Sequence, residues 1–255
     1  MKDPRKLRLS STKRKRKPAF FEKMSITNWF ILINVLFFLI TFPYLVDSQQ
    51  YCEIDINHEN CIIKYMAVNP QLFLENHYVW TIITNIFMHG NLPHLLINMF
   101  VLFSLGNLCE KIIGRKRYLW FYLISGIIAS LFFVFFAYFL GSNDLGRAIF
   151  GSRTVFAVGA SGAIFAVAGL FMILTPKLRF AIIFLPFFTL PAYIMIPLVL
   201  VVTWIVSSSV SLIAGAEGGI GNIAHFGGFV AGVVYGLYLR NKYKRKTKMI
   251  EKYFS

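Results

Sequence analysis

Charge-free apolar runs separated by short polar stretches set the layout of this chain. The first, Ile26 to Val46, has 21 residues without a charge, enough for one helix to cross a bilayer core of roughly 30 Å. Five more follow at His94 to Cys109, Tyr118 to Leu140, Ser161 to Thr175, Tyr193 to Ser211 and Ile223 to Leu239. The first run is too long and too poorly flanked for a cleavable signal peptide, and no small-residue cleavage site follows it. The segment from Val46 to Pro93 is amphipathic and carries Trp80, which predicts an interfacial loop with short helices. The pattern therefore predicts an all-α membrane protein, a six-transmembrane helical bundle with an amphipathic first loop. It divides into a basic tail (1–24), a six-span domain (25–239) and a second basic tail (240–255).

Composition agrees with this layout. Hydrophobic residues make up 57% of the 255 and charged residues only 15%, whereas soluble domains carry about 25% charged residues. The net charge of +15 invites a nucleic-acid reading, but its placement rejects one. Ten of the 26 Lys and Arg lie in the first 23 residues and seven from Arg240 onwards, with no basic surface interleaved with aromatics. Charge placement also orients the bundle. With the N-terminus in the cytosol, 23 basic residues fall inside and three (Lys64, Arg147 and Arg153) outside, as the excess of basic residues in cytosolic loops requires. The expectation is a multi-pass protein of the cell membrane with both termini cytosolic. The basic tails suit contact with anionic lipid head groups.

Polar and ionisable residues inside spans are costly in hydrocarbon, so they are functional candidates. Three spans have them: the second opens with His89, His94 and Asn98, the fourth with Gly159-Ala160-Ser161-Gly162-Ala163, and the sixth with His225 and Gly228. Counting about 1.5 Å of rise per residue from the charged cytosolic ends puts Ser161 and His94 about 24 Å up, His225 about 22 Å and Asn98 about 18 Å. Three separate helices thus place their polar groups in one layer of the outer half of the membrane. A serine hydroxyl becomes nucleophilic when an imidazole takes its proton, and acyl transfer needs donors where the oxyanion forms. His94 and Asn98, at i and i+4, project from one helix face, and the Ser161 amide at a helix start adds another donor. Each motif alone also has a bland reading. Gly-Ala-Ser-Gly-Ala can be a packing motif, a lone intramembrane His a packing or ion-pathway residue, His89 an interfacial residue and Glu110 a marker of the cytosolic interface. None of these readings predicts the shared depth.

At these residues the chain resembles the rhomboid intramembrane serine proteases, from Trp80 to Gly236. His89, His94 and Asn98 have the spacing of the family's second-span motif. Gly159-Ala160-Ser161-Gly162, continuing to Ala166 and Gly169, is similar to its nucleophile segment. His225, Gly228 and Gly232 resemble the segment with its base, and Glu110 followed by Gly114 also matches. The six spans resemble the basic core typical of prokaryotic members. The resemblance implies a serine endopeptidase that cleaves the transmembrane segments of single-span membrane proteins near their outer ends, without cofactor or metal. By resemblance, Ser161 is the nucleophile and His225 the base of a two-residue dyad. Asn98 and His94 would stabilise the oxyanion, with Gly159, Gly162, Phe165, Gly228, His89 and Glu110 in support. The chain departs from the family pattern at two positions. Trp80 is followed by Thr81 where members commonly have Arg, and Phe165 stands where Tyr often packs on the catalytic imidazole.

Other functions fit less well. A catalytically dead relative that binds membrane proteins would have lost Ser161 or His225, and both are present. A transporter would show paired acidic residues or broken helices at the midplane, whereas the carboxylate nearest a span, Glu110, stands at its end. No His-Glu-x-x-His supports a metalloprotease. Cys52 and Cys61 lie in the segment placed outside the cytosol, where a disulfide is permitted, and Cys109 is left as a thiol.

Overall fold

The apolar runs become helices, and polar neighbours set where each begins. The computed structural model describes residues 24–54, 61–182, 185–214 and 221–254; the basic tail before residue 24 lies outside the described residues. Among the described residues, five helices are long and apolar enough to cross a membrane, and a sixth, Ser161–Leu174, is shorter.

The first span, α1 (Ile26–Ile54), starts at Ser25, whose hydroxyl accepts from the Asn28 amide at 3.1 Å. Its remaining free amides are met from another helix. The Glu110 carboxylate accepts from the amides of Ile26 and Thr27, both at 3.0 Å, and from the Thr27 hydroxyl at 3.1 Å. An anion at a helix N-terminus satisfies orphan donors and opposes the helix dipole. Glu110, read from sequence as an interface marker, is therefore buried as the cap of a neighbouring span.

The first loop contains a 3-10 turn (Ile62–Tyr65), α2 (Pro70–Glu75) and α3 (Thr81–Thr84). The second span is α4 (Leu92–Val101), a π turn (Leu102–Gly106) and α5 (Asn107–Ile113). The wider i to i+5 turn rotates the face with Glu110 relative to the face with His94 and Asn98. Gly106 sits where a Cβ would lie 2.4 Å from the Tyr118 hydroxyl. Gly114, at φ +88°, then reverses the chain into the third span, α6 (Arg115–Leu140).

After α7 (Asp144–Phe150), the fourth span α8 (Ser161–Leu174) runs through the centre of the bundle, and most of its residues are buried. An antiparallel hairpin of β1 (Arg179–Ile182) and β2 (Leu185–Pro191), absent from the sequence-based layout, links it to the fifth span, α9 (Ala192–Ala214). That helix is tied to the hairpin base, where the Ala192 amide donates to the Leu178 carbonyl at 2.8 Å and the Tyr193 amide to the Pro176 carbonyl at 3.2 Å. It is the least buried long span, 17% against 28–39% for the others.

The sixth span, α10 (Asn222–Phe254), lies against α8 with almost no side chain between them. A Cβ on Gly228 would fall 2.0 Å from the Gly162 carbonyl oxygen, and one on Gly232 2.0 Å from that of Ala166. Small residues at both positions bring the two backbones into direct contact. The helix continues through the basic segment from Arg240 to Phe254. Charges mark where a helix leaves hydrocarbon, not where it ends. The extension closes the carbonyl end of α5: the Tyr243 hydroxyl donates to Ile113 at 3.2 Å and the Lys246 ammonium to Ile112 at 3.2 Å and to Lys111.

Candidate active site

Ser161 is the first residue of α8, and the first intrahelical bond there runs from the Ile164 amide to the Ala160 carbonyl. The amides of Ser161, Gly162 and Ala163 therefore precede the helical ladder and remain available as donors. The approach to this turn is fixed by Gly159, at φ +127°, where a Cβ would meet the His94 ring at 2.9 Å. Only glycine combines that backbone with so close an imidazole.

His225 lies in the first turn of α10, with its amide bonded to the Gly221 carbonyl at 2.7 Å. Its Nε2 is 2.8 Å from the Ser161 Oγ. The Phe165 ring stacks on the imidazole with centroids 4.5 Å apart and planes inclined 27°. Among the described residues, Nδ1 has no hydrogen-bond partner. With no third group bonded to it, the ring is oriented by stacking and by the Ser161 bond. For Nε2 to accept the serine proton, Nδ1 must carry the hydrogen of the neutral imidazole.

On the second span, His94 stands beside Gly159 and meets the buried His89 edge-on, with centroids 5.1 Å apart at 66°. One turn further, the buried Asn98 keeps its amide nitrogen Nδ2 unpaired. That group is a spare donor in a place where unpaired donors are costly. The structure thus brings together Ser161, His225, Phe165, Gly159 and His94, and sets Asn98 below His94 on the same face. Gly162 and Gly228 form the contact that brings the two helices together. Glu110 lies at the far end of the second span, on the start of α1.

The scaffold that holds the Ser161 turn is made of backbone bonds and loop residues that carry no signal in local sequence. Residues 153–159 are joined to the first loop by paired bonds between Val68 and Ala157, at 3.0 and 2.8 Å, and by Gln71 to the Arg153 carbonyl at 3.0 Å. The Asn85 carbonyl accepts from the Gly159 amide at 2.9 Å. The Asn85 side chain is buried against Ser130 of α6, at 3.1–3.2 Å, and against the Thr81 carbonyl. A cavity of about 30 Å³, lined by Asn85, Ser130, Gly159 and Ser161 among others, lies behind the serine. Where many members have an arginine, Thr81 bonds the Tyr78 carbonyl at 2.6 Å, while the loop is braced by Trp80 to Tyr65 at 3.0 Å and Thr84 to Met66 at 2.7 Å. Cys61 is disulfide-bonded and Cys109 is a buried free thiol; the Cys52 side chain, its expected partner, lies outside the described residues.

A family model described as the Rhomboid domain matches residues 76–242. "Rhomboid protease AarA" of Providencia stuartii is 30% identical over 221 residues, covering 83% of this chain and 71% of that protein. Human "Presenilin-associated rhomboid-like protein, mitochondrial" is 31% identical over 134 residues, covering 52% of this chain and 32% of its own length. "Inactive RHOMBOID-like protein 8" of Arabidopsis thaliana is 40% identical over 77 residues, 30% of this chain and 22% of that protein.

Proposed function

The chain belongs to the rhomboid family of intramembrane serine proteases, and on that premise we propose that Ser161 and His225 form its catalytic dyad. The observation that carries this reading is the 2.8 Å bond between Ser161 Oγ and His225 Nε2, made across two spans whose backbones touch. A relative with an inactive designation is among the similar proteins, so membership alone does not assign activity, and the dyad geometry is what supports it here.

The substrate is a transmembrane segment of a membrane protein, cut near its outer end. Ser161 Oγ attacks the scissile carbonyl carbon as His225 Nε2 takes the hydroxyl proton. The charge that develops on the carbonyl oxygen is met by the Ser161 amide, the Asn98 Nδ2 donor and the His94 ring. His225 then gives its proton to the leaving amide nitrogen and the C–N bond breaks, leaving an ester on Ser161. Water, deprotonated by His225, attacks that ester; the proton on His225 returns to Ser161 as the new carboxylic acid leaves, and that acid ionises into solvent. The 23-to-3 division of basic residues supports an active site that opens on the extracytoplasmic side, with both termini cytosolic.

The test is cleavage of a single-span substrate in proteoliposomes by wild type, Ser161→Ala and His225→Ala. Both variants are expected to lose cleavage, with thermal unfolding close to wild type. A fluorophosphonate should label Ser161 in wild type and not in His225→Ala. Retention of most activity by either variant overturns the dyad. An inactive wild type places the chain with the non-proteolytic relatives.

A further inference from the structure

The faces of α6 and α10 diverge around a groove of about 940 Å³, open along one side. One end is marked by Lys116, Arg117, Trp120 and Tyr238, and the other by Phe132 and Gly227. Along α6 this is 17 residues, about 24 Å of helix, longer than one leaflet's half of a roughly 30 Å core. The two ends differ in chemistry. From Trp120 to Phe132 the lining is apolar apart from Ser125, and Val230, Ala231 and Val234 face it from α10.

At the basic end, Lys116 and Arg117 are exposed and neither has a carboxylate partner among the described residues. Arg117 is held in place by its bond to the Tyr243 hydroxyl at 3.2 Å, which leaves most of its donors free. Trp120, 55% exposed, and Tyr238, 78% exposed, stand at the same level, where amphipathic rings mark a membrane–water boundary. The glycine at position 227 is what lets the groove close at its deep end, because a Cβ there would fall 2.5 Å from the Phe132 ring.

We propose that this groove is a binding site for an anionic diacyl phospholipid, with the phosphate on Lys116 and Arg117 and an acyl chain along the apolar wall. Charge decides the occupant. A second copy docked symmetrically would bring another Lys116 and Arg117 to the same level, and a transmembrane helix carries its own basic residues at its cytosolic end. Both add like charge, whereas a phosphodiester supplies the opposite charge and the acceptors the guanidinium can pair. The deep end of the groove adjoins the turn that carries His225, but the cations proposed to hold the phosphate lie at the opposite end, and the test reads binding, not proteolysis.

The experiment is native mass spectrometry of the full chain with equal amounts of dioleoyl phosphatidylglycerol and dioleoyl phosphatidylcholine, which share acyl chains and differ in charge. The anionic lipid should be retained preferentially, by roughly fivefold for each groove cation. Lys116→Gln with Arg117→Gln should remove that preference. Lys242→Gln with Lys244→Gln, an equal loss of charge at the same end, should leave it. Ala231→Phe, which fills the groove without changing charge, should lower retention of both lipids while thermal unfolding remains a single transition. Equal retention of the two lipids overturns the site, as does an equal effect of the two Gln pairs. Unchanged retention in Ala231→Phe, or a lipid-free dimer, overturns it too.

Discussion

Adding one methyl group to Gly228 should disable the site without touching a reacting atom. The new Cβ would stand 2.0 Å from the Gly162 carbonyl oxygen, and side-chain carbons essentially never approach within 3.0 Å, so the two helices must part by at least 1.0 Å there. The obstacle is backbone and cannot turn aside. His225 lies one turn before Gly228, and Ser161 immediately precedes Gly162. The separation therefore reaches the dyad and stretches its 2.8 Å bond to about 3.8 Å, outside hydrogen-bonding range. A misplacement of about 1 Å costs on the order of 10²-fold in rate, and the overpacking costs about 1–3 kcal/mol of stability. Initial cleavage rates in proteoliposomes and the rate of fluorophosphonate labelling should fall together in Gly228→Ala, on protein that still unfolds cooperatively. Gly90→Ala is the control, because a Cβ there meets nothing nearer than 3.9 Å; it should remain within about twofold of wild type. Wild-type rates in Gly228→Ala would refute the idea that backbone contact sets the dyad distance.

Asn98→Ala and His94→Ala should each slow turnover by roughly 10²–10³-fold with little change in substrate affinity; steady-state kinetics showing normal rates with weakened binding would remove them from the oxyanion site. Glu110→Ala should destabilise the bundle by about 2–5 kcal/mol, since it strands two amides at the start of α1, and Glu110→Gln by less, because one acceptor remains; equal unfolding temperatures for both variants would contradict the capping role. Cys61→Ser should loosen the first loop by about 2–3 kcal/mol locally, and mass spectrometry of the alkylated, unreduced wild type should show a 52–61 cross-linked peptide with only Cys109 modified.

The parts of this protein that stood out in its sequence did so because hydrocarbon makes polarity conspicuous. Ser161, His225, His94 and Asn98 interrupt spans built of Phe, Leu, Ile and Val, and counting residues from the charged ends brought them to one level. Asn85 is not conspicuous in the sequence because it lies in an interfacial loop where a polar side chain is ordinary, and its contribution to the site is a carbonyl, which every residue has. The Val68–Ala157 pairing is likewise a backbone matter. Glu110 was visible, but its partner, the start of α1, lies more than eighty residues earlier in the chain, beyond the reach of local spacing. The extension of α10 to Phe254 was obscured because its lysines and arginines signal departure from the membrane.

The hydrogen bonds that tie Ala192 and Tyr193 to the hairpin base give the fifth span the character of a lever. Its 23 residues make a rod about 34 Å long, pinned at the end remote from the dyad. Further along, Trp204 rests on Phe226, next to His225, with ring centroids 5.8 Å apart. A rod so pinned multiplies angle into distance: a tilt of about 10° at the fulcrum carries the opposite tip some 6 Å, more than half a helix diameter. Because Trp204 bears on Phe226, one residue from His225, such a swing cannot pass the turn that carries the imidazole unfelt, and a displacement begun at the hairpin is delivered beside the Ser161–His225 bond.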